Sequence, residues 1–186
     1  PEGHTSHLTV VDKNGMIVSL TQTIGPTMGS KVATPGLGFL YAQTMGGYLG
    51  KVEPGLRVPS HISPVIVFKN DKPFLALGAA GGSRIPSSIV NVISRIIDQG
   101  LPLEKALHSP RVHPLEEGIS LEIVDEVSWN QDDSTYFSQL GYTVEMKRLP
   151  GQFGRIHGVM LDTLTGEWIG CADPDWEGTA AFPNLE

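Results

Sequence analysis

The chain has 186 residues, a formal net charge of −7, 40% hydrophobic residues and 18% charged ones. This is enough apolar material for one packed domain, and the negative balance argues against a nucleic-acid binder, which needs a basic face. The single cysteine, Cys171, excludes an internal disulfide, and no stretch is long and apolar enough to span a bilayer as a helix.

In chain order, the first two predicted elements are strands at about 5–12 and 16–23, joined by Lys13-Asn14-Gly15. In the first, every second residue from Thr5 is polar (His7, Thr9), and the second repeats this with Ser19, Thr21 and Thr23. A three-residue turn sets Asp12 across from Met16, and because strand partners descend in step, Thr5 then faces Thr23. Buried hydroxyls need hydrogen-bond partners, so a row of them costs desolvation unless it is satisfied or lines a site. The alternative is a half-exposed hairpin with its threonines in solvent.

A Gly- and Pro-rich stretch, 25–59, reads as loop and pocket wall. Strands are predicted at about 64–69 and 73–78, the second running through Gly78-Ala79-Ala80-Gly81-Gly82-Ser83-Arg84-Ile85-Pro86 into a helix over 86–99. Pro86 suits a first helical turn, Ile89, Val90, Val92, Ile93, Ile96 and Ile97 form a broad apolar face, and Gly100 suits a C-cap. Glycines ahead of a helix expose backbone N–H groups that can hold an anion or an oxyanion. A phosphate loop fits poorly, because the lysine of that motif is missing.

Further on come a helix at 102–108, a strand at 119–124, a helix at 131–140 ended by Gly141, a strand at 143–147, and a hairpin over 157–171 turned at Thr165-Gly166. The closing hairpin alternates well and offers Val159 and Leu161 to the core, with Cys171 a small buried hydrophobe. His4, His7, His108, His113 and His157 have no ligand spacing, so no metal is expected. Without repeats, low-complexity tracts or linkers, 1–186 reads as a single domain.

Several spaced motifs resemble the small subunit of the γ-glutamyltranspeptidases. They are Gly3-His4-Thr5-Ser6-His7-Leu8-Thr9-Val10-Val11-Asp12-Lys13-Asn14-Gly15, Thr21-Gln22-Thr23, Pro59-Ser60-His61-Ile62-Ser63-Pro64 and Gly81-Gly82-Ser83-Arg84-Ile85. Ser109-Pro110-Arg111-Val112-His113 and Ala172-Asp173-Pro174 agree with them. The resemblance implies an α+β fold, the αββα four-layer sandwich of the N-terminal-nucleophile hydrolases, completed with a large subunit from the same precursor. It implies self-cleavage before a threonine that becomes the nucleophile, here Thr5, whose freed α-amine serves as base. By the same resemblance Thr23 is the hydroxyl partner of Thr5, and Gly81 and Gly82 supply the oxyanion donors. Residues 1–4 would be the tail on the large-subunit side of the cleavage point, and 5–186 the mature small subunit.

The substrate pocket departs from the family pattern. Counted without gaps from Thr5, the family's Asn and Asp that hold the glutamyl α-amino group fall on Gly25 and Gly47, and its Ser-Ser pair for the α-carboxylate reads Ser60-His61. His61 is either a replacement carboxylate binder or a structural substitution. Arg84 and Arg57 match family positions, while the arginine for the glutamyl carboxylate belongs to the large subunit. The segment between Gly47 and Ser60 is too short for the lid loop of many members, which favours hydrolysis over transfer.

The implied activity is cleavage of γ-glutamyl amides through an acyl-enzyme on Thr5, without a cofactor. The alternatives are an amidase on another acid amide or acylated side chain, and a catalytically silent binding relative. The resemblance is compatible with a periplasmic or extracellular location and equally with the cytoplasm.

Overall fold

The computed structural model describes residues 3–45, 53–125, 128–148 and 151–183. The first strands are β1 (Gly3–Val11) and β2 (Ile17–Pro26), a two-stranded antiparallel hairpin. Asp12 closes its turn: its backbone N–H donates to Met16 O at 3.0 Å, and its Oδ1 accepts from the N–H groups of Asn14 and Met16, each at 2.8 Å. Gly15 supplies the positive φ of 83° that the turn requires. The register is the expected one, with Thr5 opposite Thr23, His7 opposite Thr21 and Thr9 opposite Ser19.

A four-stranded sheet follows in the order β3-β4-β8-β9, built from β3 (Val65–Lys69), β4 (Lys72–Ala80), β8 (Arg155–Leu161) and β9 (Trp168–Ala172). Strand β4 is covered on both faces. Leu75, Leu77 and Ala79 point to one side, where they pack with Ile85, Ile89, Val92 and Ile96 of α1 (Ile85–Ile97) and Leu103, Ala106 and Leu107 of α2 (Leu103–His108). Burying each of the larger side chains contributes roughly 1.5–3 kcal/mol. On the other side, Ala76, Gly78 and Ala80 lie under the hairpin, which packs on β4 and β8. The chain thus stacks three layers, hairpin, sheet and helices, in an α+β architecture.

A second sheet, β5-β6-β7, comprises β5 (Val112–Leu115), β6 (Gly118–Glu122) and β7 (Thr143–Lys147), with β6 and β7 parallel and α3 (Gln131–Gln139) between them in sequence. Asn91 of α1 ties this sheet to the helices: its Nδ2 donates to Val112 O at 3.0 Å and its Oδ1 accepts from Val112 N at 3.1 Å.

Three sequence expectations change. Strand β5 was not anticipated. The stretch after β2 is not all irregular, since Ala33 and Leu40 form a bridge and Tyr41 N donates to Val32 O at 3.0 Å. Val159 and Leu161 lie on the hairpin side of β8, half-buried, whereas Ile156 and Met160 of the same strand join the helix-side core. Both faces of β8 are covered, so alternation alone could not say which one is the main core.

One buried ion pair fastens the later elements together. The Arg111 Nη2 donates to Asp173 Oδ2 at 2.7 Å and to Leu107 O at 2.8 Å, and Nη1 donates to Gly154 O at 2.5 Å. Asp173 also accepts from Ile156 N at 3.1 Å and Asp175 N at 3.1 Å. Glu122 accepts from Arg111 N at 2.8 Å, and burial pushes its carboxyl above the usual carboxylate range. Removing one member of such a pair strands the other charge out of water. Asp173→Leu should therefore destabilise the fold by about 3–5 kcal/mol in denaturant unfolding, while Arg111→Met with Asp173→Leu should cost less than the sum of the single changes.

Candidate active site

Several chain segments end at one edge of the four-stranded sheet. Residues 61–64 lead into β3 beside the last turns of β4, where Val65 pairs with Leu77. Strand β4 ends at Ala80, opposite Arg155 at the start of β8. The chain beyond β9 returns to the same edge. The hairpin lies across this edge, and together these segments enclose a cleft of about 1030 Å³. Its lining includes Thr5 and His7 from β1, His61, Gly81 and Gly82 after β4, Arg155 and His157 of β8, and Trp176 to Thr179.

The hairpin faces inward with its hydroxyls. Thr5, His7 and Thr9 are half-buried while Leu8 and Val10 are exposed, so the reading with threonines in solvent does not hold. His7 is held by two of them, its Nδ1 at 2.7 Å from Thr21 Oγ1 and its Nε2 at 2.9 Å from Thr9 Oγ1. The ring lies where a Cβ on Gly78 would stand, so only glycine at 78 admits it. Burial, reinforced by His157, lowers the His7 imidazole to about 4. His157 is also lowered, chiefly by burial, against a raising effect of Asp173.

Around Thr5 the hairpin departs from regular pairing. Gly3 faces Pro26 and Thr5 faces Thr23, so Ile24 and Gly25 together oppose His4 in a bulge. Thr23 Oγ1 donates to His4 O at 3.1 Å and accepts from Gly25 N at 3.0 Å. The Thr23 hydroxyl thus polarises the carbonyl of the peptide bond that precedes Thr5. Gly25 has φ of 82°, and a Cβ there would meet Gln43 O at 2.5 Å. Gly25 is fitted to this bulge and has no room for a polar side chain.

Across the cleft, Gly81 has φ of 146° and caps a single 3₁₀ turn, Gly82–Arg84, which runs directly into α1. Amides at the start of such a helix have no preceding intrahelical carbonyl, and they can stabilise an oxyanion. A Cβ on Gly81 would stand 2.9 Å from Gly154 Cα, which fixes the approach of the 151–155 loop. Arg84 lines the cleft, with its guanidinium 5.4 Å from the Phe153 ring centroid.

The expected site residues do not all converge. His61 enters the cleft, but Ser60 is exposed and its Oγ accepts from Ile62 N at 3.2 Å, a local turn. Arg57 is exposed, and Gly47 lies outside the described residues. Arg155, His157 and Trp176 also line the cleft, although no motif or spacing singled them out. Their signal lay in pairing across β4 and β8 and in the return of the chain after β9, neither of which spacing reveals. Among the described residues, no group of three or more His, Cys, Asp or Glu side chains is placed to hold a metal ion.

The hairpin–sheet–helix stack, with the glycine turn at the head of α1, is the fold of the N-terminal-nucleophile hydrolases. The chain belongs to the γ-glutamyltranspeptidase family, whose model matches residues 1–182. It is 28% identical over 198 residues to the glutathione hydrolase proenzyme of Bacillus subtilis (strain 168), an alignment covering 100% of this chain and 32% of that protein. It is 35% identical over 129 residues to the acylase ACY 1 proenzyme of Pseudomonas sp. (strain V22), covering 66% of this chain and 23% of that protein. Among solved structures, the γ-glutamyltranspeptidase from Pseudomonas nitroreducens complexed with L-DON superposes with a TM-score of 0.78 at 30% identity, covering 96% of this chain and 99% of that one. The chain spans about a third of the length of the first curated relative.

The depressed His7 fixes a pH dependence. A histidine with folded pKa of about 4 against 6.5 unfolded adds stability above pH 6.5, and that stability is lost as pH falls from 6.5 through 4. The unfolding midpoint should drop across that window, and His7→Asn should flatten part of the drop.

Proposed function

We propose that this chain carries the nucleophile of a γ-glutamyl amide hydrolase and acyltransferase, with Thr5 in that role. The observation behind this reading is the cleft that Thr5 and the Gly81-Gly82 turn both line, with Thr23 the strand partner of Thr5. Attack of Thr5 Oγ on the His4 carbonyl, polarised by Thr23, would move the upstream acyl chain from the Thr5 nitrogen to Oγ, and water would then hydrolyse that ester, leaving a carboxylate on His4 and a free α-amine and hydroxyl on Thr5. That amine takes the Thr5 hydroxyl proton as Oγ bonds to the donor carbonyl carbon. The Gly81 and Gly82 amides hold the developing oxyanion, the proton passes to the departing amine, and water then releases the acid.

The partner is the preceding part of the same precursor. The outer hairpin face offers it Leu8, Val10, Met16, Val18 and Leu20, with Val10 55% and Met16 66% exposed. A helical layer set there would complete the αββα sandwich. With residues 47–60 too short for a long covering loop, water reaches the acyl-enzyme and hydrolysis is favoured over transfer.

One observation supports a second reading. Gly25 lacks both a side chain and the space for one, so a site for the donor's α-ammonium group is absent at this position. An acylase acting on an acid amide without that group accommodates this better, and the Pseudomonas relative is itself named an acylase.

Two measurements test the proposal. The wild-type precursor should yield two chains and Thr5→Ala one uncut chain, with Thr23→Val cleaving at least tenfold more slowly. The processed wild type should release aniline from a γ-glutamyl anilide, and an acceptor dipeptide should raise the rate little. Cleavage in Thr5→Ala would overturn the nucleophile assignment. Self-cleavage without anilide turnover would favour the acylase reading, and a precursor that never cleaves would point to a silent relative.

A further inference from the structure

The cleft has a cationic wall on the side away from His61. Arg155 begins β8 opposite Ala80, next to the glycine turn, and its guanidinium carbon lies 4.1 Å from the Trp176 ring centroid. Its Nε reaches back to Gly151 O at 3.4 Å, and Gly151 N in turn donates to Asp175 Oδ2 at 3.2 Å. The guanidinium is thereby held over an indole, between a loop and the segment after β9. Such stacking holds the planar fork in one orientation and leaves its terminal nitrogens to bind a carboxylate in parallel. Among the described residues, Arg155 has no carboxylate ion-pair partner. Two acids flank Trp176: Asp175 is held by the Gly151 N–H, and Glu177, also in the lining, forms no ion pair with Arg155.

Sheet order gives this wall its meaning. Strand β4 stands between β3 and β8, and the Gly81-Gly82 turn follows its end. His61 arrives on the β3 side of that turn, and Arg155 with Trp176 on the β8 side. An amide whose carbonyl sits at the glycine amides therefore directs its two halves to opposite flanks. If the acyl half extends toward His61, the amine half extends toward Arg155.

We infer that Arg155, held by Trp176, is a specificity-determining residue that binds a carboxylate on the amine half of the amide substrate, such as the terminal carboxylate of a leaving peptide or amino acid. This rests on the amide-cleaving reading of the cleft, but not on the identity of the acyl group. Arg155 touches the leaving half alone, so its loss weakens acylation and leaves release of the acyl group unchanged.

The test uses the processed, complete protein and two leaving groups that differ by one para carboxylate, aniline and 4-aminobenzoate, each joined to a γ-glutamyl and to a glutaryl acyl group. The wild type should favour the carboxylated leaving group in kcat/KM by about tenfold or more, as expected for charge-assisted hydrogen bonds. Arg155→Gln should erase that preference through KM, and Arg155→Lys should restore part of it. Binding of free 4-aminobenzoate, followed by calorimetry, gives a reading independent of turnover and should weaken about tenfold in Arg155→Gln. Equal preference in wild type and Arg155→Gln, or equal binding of 4-aminobenzoate, would overturn the inference. Loss of turnover on all four amides with intact, Arg155-dependent 4-aminobenzoate binding would instead count against the amide-cleaving reading and leave the carboxylate site standing.

Discussion

The structure depends on a polar layer placed where most folds put an apolar one. The hairpin meets the sheet through threonine hydroxyls and the His7 imidazole, and its apolar side chains face outward. Such an interface holds only if each buried donor and acceptor finds a partner. The ring of His7 meets this condition by joining Thr9 and Thr21, and Gly78 makes room for it in the opposing strand. The cost of burying polar groups is thus offset locally, leaving Thr5 at the open end of the row, in the lining of the cleft.

A second set of contacts keeps the opposite wall in place. Arg111 and Asp173, far apart in the chain, lock the 151–155 loop and the segment after β9 against the end of α2. That lock holds Gly154 against Gly81 and brings Trp176 back beside Arg155. The glycine turn and the cationic wall are therefore fixed by one buried pair, although none of the pair's own atoms belongs to the cleft lining.

Much of this was legible because local rules decide it. The Lys13-Asn14-Gly15 turn fixes the register that sets Thr5 against Thr23, and the glycines before Pro86 mark the start of α1. Other features depend on contacts distant in sequence. The link from Arg111 to Asp173 crosses 62 positions. The neighbours of Arg155 follow from strand order, and the inability of Gly25 to carry a side chain follows from where Gln43 comes to rest. Strand β5 is short and ends in Pro114 and Leu115, a pattern closer to a loop than to alternation. The inner face of β8 escaped because covered strands have two apolar sides.

The central claim is that Thr5 becomes both an N-terminus and an acyl acceptor. Intact mass analysis and fragmentation of the purified full-length protein, after brief exposure to an amide donor and acid quench, tests both at once. The account predicts a short chain beginning at Thr5 that gains the mass of one acyl group on Thr5 itself. A chain that begins elsewhere, or an acyl group located on another residue, would contradict it.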